Sequence, residues 1–402
     1  MNSPAAHASP VPRRSRRRTV EWIGSVFIAV IVALAGYDIW RSYQATVSNT
    51  GRELETQARV IAEQTARSLQ AVDVALRHLA EQFQRGTLSA LSAQDLRAYL
   101  KEQAIGLVQI DGLLVIHADG SLRASSYIDP AQEATVRLSG NPFNTARTNR
   151  QAGLQLGDAI RSTVDGRWIF PLMRRLESSS GEFAGAVAAR GRIDYFQQFY
   201  QDIRLDPGTI VALLHQNGVL LARHPAAEAA LGQRIPSFDQ RLAEYKAGMS
   251  GPSRLVSPVD GAERFGVLQL VPDYPLAVIV TRDVAVALAP WRAQSFGTAM
   301  RTLTLSALAA LLLVIVRRQF ARLDKARESL EIFEERFTLA VAGSNDGIVD
   351  WDVVYDRMYS SERAMQILGV ESDVTVRTRA EWSALVKYAP DDLPRMKEDL
   401  QR

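Results

Sequence analysis

Two long apolar runs interrupt a chain that is otherwise an even mixture of polar and apolar positions. Thr302 to Val316 carries no charge, and Phe296 to Met300 prolongs it beyond a lone Arg301. Together they match the ~20 residues an α-helix needs to cross a ~30 Å hydrocarbon layer, with Arg301 near enough to one end to snorkel outward. The other run, Trp22 to Trp40, is apolar except for Ser25 and Asp38. Arginines crowd one flank of each run: Arg13 to Arg18 before the first, Arg317 and Arg318 after the second. Arginine-rich flanks stay in the cytoplasm. The expected topology is therefore a two-pass inner-membrane protein lying in the lipid bilayer, with both termini cytoplasmic. It has a basic tail at 1–20, spans at 21–41 and 297–316, and an external part at 42–296. A cleaved signal peptide is the alternative for the first run, since Ala33-Leu34-Ala35 has the small-residue pattern of a cleavage site. Either way the middle of the chain lies outside.

The external part opens on a helical pattern from about Ser42 to Phe83. Val47, Leu54, Ala58, Ile61, Leu69, Val72, Leu76, Leu79 and Phe83 recur at three-four spacing without a proline, interrupted by Gly51 and Thr65. Such a stripe packs on its own domain or on a twin subunit. Beyond it the period changes to that of strands, and the text repeats. "LLVIHADGSLRAS" (113–125) aligns with "VALLHQNGVLLAR" (211–223). "STVDGRWIFPL" (162–172) aligns with "SPVDGAERFGVL" (257–268), about 95 residues on. "FAGAVAARGRIDYF" (183–196) and "YPLAVIVTRDVAVAL" (274–288) each read as a strand followed by a helix. Asp-Gly and Asn-Gly supply the positive φ angles of tight hairpins, so each copy is expected to be an antiparallel sheet flanked by helices. The expected fold class is α+β with two like modules in tandem.

Composition narrows the function. The net charge of +3 traces to the arginines beside the apolar runs, which argues against a nucleic-acid partner. With no cysteine, the external part must be held by its core, and thiol chemistry is excluded. His117 and His215 occupy equivalent places before a turn, but neither has a second histidine or acidic cluster near it in sequence, so no metal is expected.

After the second run, Phe320, Leu323, Leu330 and Phe337 fall on a seven-residue pattern, broken by Arg327 and with Phe333 one place early. Residues 317–336 are expected to form a short parallel coiled coil in a homodimer, the alternative being a solvated linker helix. From Arg336 a helix leads to an Asn-Asp-Gly turn, a strand "GIVDWDV", a strand "RMYSS" and a helix "ERAMQILG".

A long helix leading into two sheet modules between two spans resembles the double Cache sensor domains of bacterial receptors. The resemblance covers about residues 42–292 and rests on this order and on "DGRWIFPLMRR", "GEFAGAVAA", "GVLLARHP" and "YPLAVIV". It implies that a small molecule binds the membrane-distal module, about 105–200, and that the proximal module, about 201–292, supports and relays. Where the amino-acid-binding branch of that family has an acidic residue to hold the ligand ammonium, this chain has Arg190. A guanidinium repels an ammonium and welcomes a carboxylate, sulfonate or phosphate, so an anionic ligand is expected. Arg161, Trp168 and Phe143 fall in or near stretches that line the pocket in those relatives.

"DGIVDWDVVYDRMYSSERAMQILG" resembles the first half of a PAS domain of the tryptophan-containing branch, with Asp346, Gly347, Trp351, Asp352, Ser360 and Leu368 at the family's places. "KYAPDDLPRMKEDLQR" resembles the helix that follows. The family's domain runs to ~110 residues, so the segment 337–402 is expected to be a PAS domain incomplete at its C-terminus. From residue 337 there is no histidine for haem and no cysteine for a flavin adduct, so no cofactor is expected and the piece reads as a relay and dimerisation module. No phosphate loop, kinase histidine box, GGDEF or EAL motif, or nucleophile with its base is present, so no enzyme is expected. In relatives a diguanylate cyclase, phosphodiesterase or histidine kinase follows the PAS unit. The expected function is a membrane receptor that relays an external small molecule to a signalling output outside this chain. Two alternatives are an adaptor whose open PAS edge binds a cytoplasmic signalling partner, and an external binding receptor serving a transporter.

Overall fold

The structure is a computed structural model that describes residues 13–133, 136–151, 153–178, 180–249, 252–370 and 375–386. The expected helix of "KYAPDDLPRMKEDLQR" lies outside the described residues. The chain divides into two compact units, Ala33–Thr302 and, separately, the described residues up to Val32 together with those from Leu303.

In the larger unit, helix α1 (Arg13–Gln84) runs without a break from the first apolar run through the expected external helix. Leu54, Ala58, Ile61, Leu69, Val72, Leu76 and Leu79 are fully buried in the main core, as their spacing requires. The two interruptions have packing reasons. A Cβ on Gly51 would stand 2.4 Å from Pro252 Cγ, so only glycine lets the helix approach there. Thr65 is buried where the fully buried Tyr200 packs.

The distal module follows as α2 (Ala93–Ala104), β1 (Ile110–His117), β2 (Leu122–Ser125), α3 (Pro130–Glu133), α4 (Asn141–Thr148), β3 (Gln155–Leu156), β4 (Ile160–Arg161), β5 (Trp168–Glu177), β6 (Phe183–Arg192) and α5 (Ile193–Asp202). Its strand order is β2-β1-β6-β5-β3, with β4 on β5. The proximal module comprises β7 (Thr209–His215), β8 (Leu220–His224), α6 (Phe238–Lys246), β9 (Ser253–Val256), β10 (Glu263–Leu270), β11 (Leu276–Asp283) and α7 (Val284–Ala287), in the order β8-β7-β11-β10-β9. All pairings are antiparallel, and the turn glycines Gly120 and Gly218 take φ of 84° and 86°, as the hairpins demand.

One face of each sheet packs on α1, and two ion pairs pin it there. Arg174 of β5 forks onto Asp73 at 2.6 and 3.1 Å, and Arg282 of β11 reaches Glu53 at 2.9 Å and Asp206 at 2.6 Å. After β11, Asp283 caps α7, and α8 (Ala289–Ser344) begins. Trp291 donates from Nε1 to Ile39 O at 3.2 Å and meets Tyr43 edge-on, tying the start of α8 to α1.

In the smaller unit, the apolar stretches of α1 and α8 are long and apolar enough to cross a membrane, and the protein does not bury them. They approach at Gly24, where a Cβ would stand 2.7 Å from Leu313 Cδ1, and Glu21 pairs with Arg317 at 3.3 Å. The positions of the seven-residue pattern, Phe320, Leu323, Leu330 and Phe337, are exposed along α8. Then come β12 (Val349–Asp352), β13 (Arg357–Ser360), α9 (Glu362–Ile367), β14 (Val376–Arg377) and α10 (Arg379–Leu385), with strand order β12-β13-β14. Neither β14 nor α10 had a counterpart in the sequence reading.

The residues singled out there have identifiable local roles. Gly347 lets α9 pass, since its Cβ would stand 2.3 Å from Ala364 Cα. Asp346 donates its backbone N–H to Ser344 Oγ, and Asp352 Oδ1 caps the turn by accepting from Val354 and Tyr355 N–H. Trp351 lies under the Arg379 guanidinium and packs on the small core of Met358, Met365 and Trp382. Ser360 is fully buried, while Leu368 is exposed.

Candidate functional site

The distal sheet's other face carries a second, smaller core of Leu114, Ile116, Met173, Ala186 and Ala188, roofed by Phe143 from α4. Strand alternation puts Arg190 on this face at the end of β6, beyond Ala188. Its side chain is only 2% exposed. Nη2 donates to Asp165 at 2.5 and 2.6 Å, Nε lies 3.3 Å from Asp111 Oδ2, and the guanidinium stacks 5.2 Å from the ring centre of Tyr127. The contact with Asp111 is an ion pair without hydrogen-bond geometry, so Arg190 Nε is a buried donor with no hydrogen-bond acceptor.

Charge around Arg190 is balanced. Arg167 pairs with Asp165 at 2.7 Å and Asp111 at 3.3 Å, and Arg192 pairs with Asp194 at 2.6 Å. Burial alone would raise the Asp165 carboxyl, but hydrogen bonds from Arg190 and Arg167 outweigh it and hold the group well below the usual carboxylate range. Burial pushes the Tyr127 phenol up, partly opposed by the Arg190 charge. Asp165 sits in the Asp-Gly turn between β4 and β5 with its side chain 28% exposed.

The four site residues expected from sequence do not converge. Phe143 is inside the small core, edge-on to Phe183 with ring centres 5.8 Å apart. Arg161 and Trp168 stack on each other at 5.3 Å and line a different cleft of about 300 Å³ towards the proximal module, where Arg161 faces Glu228 at 3.7 Å. Asp111 and Arg167 reach both places. Sequence reasoning missed Asp111, Tyr127 and Asp165. The last was in view as a turn residue, but its pairing with Arg190, 25 positions away, was not. His117 lines a groove at the far end of β1, and His215 lies 3.7 Å from Asp158. Among the described residues no group of three or more His, Asp or Glu could hold a metal ion.

The Cache domain family model matches residues 42–291. The chain belongs to the Cache domain family. No curated protein matches the sequence closely enough to count as a relative. Among solved structures, the Cache region is similar to a domain described as the extracellular part of a histidine kinase, rpHK1S-Z16. That match has 28% identity and a TM-score of 0.51, and covers 60% of this chain and 97% of that one. It is also similar to the ligand-binding domain of the Pseudomonas aeruginosa PAO1 amino acid chemoreceptor PctB in complex with L-Arg (15% identity, TM-score 0.47, 59% and 97% covered). A third is the ligand-binding domain of the Pseudomonas fluorescens chemoreceptor CtaA in complex with L-leucine (13%, 0.42, 59% and 96%). The Cache region is thus a sensor-type domain, and Arg190 lies on its distal sheet.

Proposed function

We propose that this protein is a two-pass membrane receptor whose distal Cache module binds a small external organic anion at Arg190. The observation that carries this reading is a guanidinium buried in the distal face with its Nε hydrogen bond unmade and its nearest partner on a partly exposed turn. A ligand carboxylate would take the Nε donor and displace Asp165 from Nη2, exchanging one charge-assisted pair for another. The displaced turn leads directly into β5, whose Arg174 holds α1 through Asp73. Likeness to the extracellular part of a histidine kinase supports a sensing role.

The relay follows the chain. Movement of the sheets against α1 reaches α8 where Trp291 meets Ile39 and Tyr43, and α8 continues into the cytoplasm. There the exposed Phe320, Leu323, Leu330 and Phe337 pair with a second copy, and the PAS-like segment passes the change to a signalling partner that supplies the output. In this reading the chain is a receptor without its own catalysis or cofactor. The ligand can bias the two states only by its differential affinity, typically ~1–3 kcal/mol.

The test uses the full chain in lipid nanodiscs, unfolded thermally with organic acids, amino acids, amines, purines and phosphate esters. A ligand at 100 times its Kd stabilises by about 2.7 kcal/mol. An organic acid whose effect is lost in Arg190→Gln and strengthened in Asp165→Asn upholds the reading; a hit confined to amines, or indifferent to both changes, sinks it. The chain has no cysteine, so a single introduced one reports cleanly. Leu323→Cys should cross-link two copies, and Asp324→Cys should be labelled only from the cytoplasmic side.

A further inference from the structure

The proximal sheet repeats the strand order of the distal one with five strands to its six, yet its corresponding face is finished differently. Ile210, Ala212 and Leu214 of β7 and Ile279 of β11 floor a cavity of about 70 Å³. That is room for about five waters, the bulk of a three- or four-carbon acid. Around this floor stand Arg223 of β8, Arg264 of β10 and Arg241 of α6, with the hydroxyls of Ser257 and Thr281. No acidic residue lines it among the described residues. Asp260, in the turn before β10, lies behind the arginines at 2.7 Å from Arg264 Nη2 and 3.7 Å from Arg223 Nη2. Arg241 donates to Ser253 Oγ at 2.5 Å, with Glu244 the acid near it on α6. Three guanidinium groups thus share the charge of Asp260 and a more distant Glu244.

Two further observations point to an anion. The Arg264 side chain is only 9% exposed, and its Nε is buried with no hydrogen-bond partner. That group gave up its hydrogen bond to water without regaining one in the fold, which leaves the charge of this lining guanidinium incompletely satisfied. Burial also disfavours the charged forms of Arg223 and Arg241, and for Arg223 the neighbouring Arg264 adds to the effect. A negative charge among them relieves both.

We propose that this cavity is a second ligand site, in the proximal module, that takes a short-chain monocarboxylate: the carboxylate on Arg264 and its neighbouring arginines, the alkyl chain on Ala212 and Ile279. The site stands close to the start of α8. Arg264 Nη1 donates to Gly208 O at 3.1 Å, and the same carbonyl accepts the Asp283 N–H at 3.2 Å. Asp283 caps α7 by accepting from Ala285 and Val286 N–H, and α7 leads into α8. A ligand held by Arg264 therefore acts through one shared carbonyl on the residue where β11 becomes helix, with no need of the distal module.

The probe is sodium propionate, titrated into the full chain in nanodiscs by calorimetry and thermal unfolding, with n-propanol and propylammonium as controls. Propionate should bind and raise the Tm, and the controls should not. Affinity should fall by about tenfold or more in Arg264→Gln and in Arg241→Gln, the loss expected of a charge-assisted hydrogen bond. Ala212→Leu fills the floor without touching an arginine, and it should abolish binding while the protein stays folded. Arg190→Gln should leave propionate affinity unchanged, which separates this site from the distal one. The proposal is overturned if propionate at about 10 mM neither binds nor stabilises, or if n-propanol does as well. Binding that survives both Arg241→Gln and Ala212→Leu, or that disappears with Arg190→Gln, overturns it too.

Discussion

The distal and proximal modules share one backbone plan but differ in electrostatics, the one balanced and the other cationic. In each the last two strands, β5 and β6 or β10 and β11, pair within the sheet, and a matching Asp-Gly turn, Asp165-Gly166 or Asp260-Gly261, carries its glycine at φ 69°. The two aspartates serve different strands. Asp165 pairs with Arg190 on β6, whereas Asp260 pairs with Arg264 on β10. Arg190 stands two places before Arg192, where β6 hands over to α5; Thr281 stands two places before Asp283, where β11 hands over to α7. On the distal face Phe143 closes a packed roof and three arginines meet three aspartates. On the proximal face the floor is left open to a cavity and arginines exceed acids. A repeated fold therefore sets where a site can lie, and the side chains on one face decide what it holds.

The largest test of that contrast is Phe143→Ala. Removing the distal roof should cost about 3–4 kcal/mol by chemical unfolding and make the distal face resemble the proximal one. A loss below about 1 kcal/mol would mean that the two faces are equally loose. Arg190→Leu comes next, because it removes the buried one of the two cations that Asp165 and Asp111 share and leaves them to the half-exposed Arg167. With Asp165 partly exposed, a loss of about 2–3 kcal/mol is expected, and adding Asp165→Asn should recover more than half of it in a double-mutant cycle.

The two clamps on α1 differ in the same direction. Asp73 is buried and accepts from Arg174 and Arg77, so Asp73→Ala should cost about 2 kcal/mol. Glu53 is half exposed, so Glu53→Ala should cost less than about 1 kcal/mol. Equal losses would show that both modules grip the helix alike.

The smallest effect is in pH. Burial alone would raise the Asp260 carboxyl, but hydrogen bonds from Ser257 and Arg264 outweigh it and lower it from 3.8 to about 2. A carboxylate depressed in the folded state contributes stability that is full above its unfolded pKa and lost as pH falls through the folded one. Thermal stability should thus hold from pH 7 to about 5 and decline between about 4 and 2. Asp260→Asn should make that decline shallower; an unchanged profile would show that the pair contributes nothing.

Much of the frame was legible because it is written in local periods. Eight of the nine α1 positions that the three-four spacing named are buried, Val47 being partly so, and Gly120, Gly166, Gly218 and Gly261 turn where Asp-Gly and Asn-Gly said they would. The candidate site was only half legible. Arg190 was found through the family resemblance, as the residue standing where the amino-acid-binding branch has an acid, while Arg161 and Trp168 line another cleft. Phe143, which falls near a pocket-lining stretch of the relatives, packs in the small core of the distal face.

What the sequence by itself determined was the order of elements, the repeat, the apolar face of each element and the sign of the charge at Arg190, since each follows from neighbours along the chain. Only the tertiary structure decided the partners. Asp73 meets Arg174 across 101 positions and Asp165 meets Arg190 across 25. It also decided that one sheet face is packed shut while its twin keeps a cavity. Periodicity states which face a residue takes, but a charge is neutralised and a void is filled by whatever the fold brings within a few ångströms, and that depends on contacts between segments far apart in the chain.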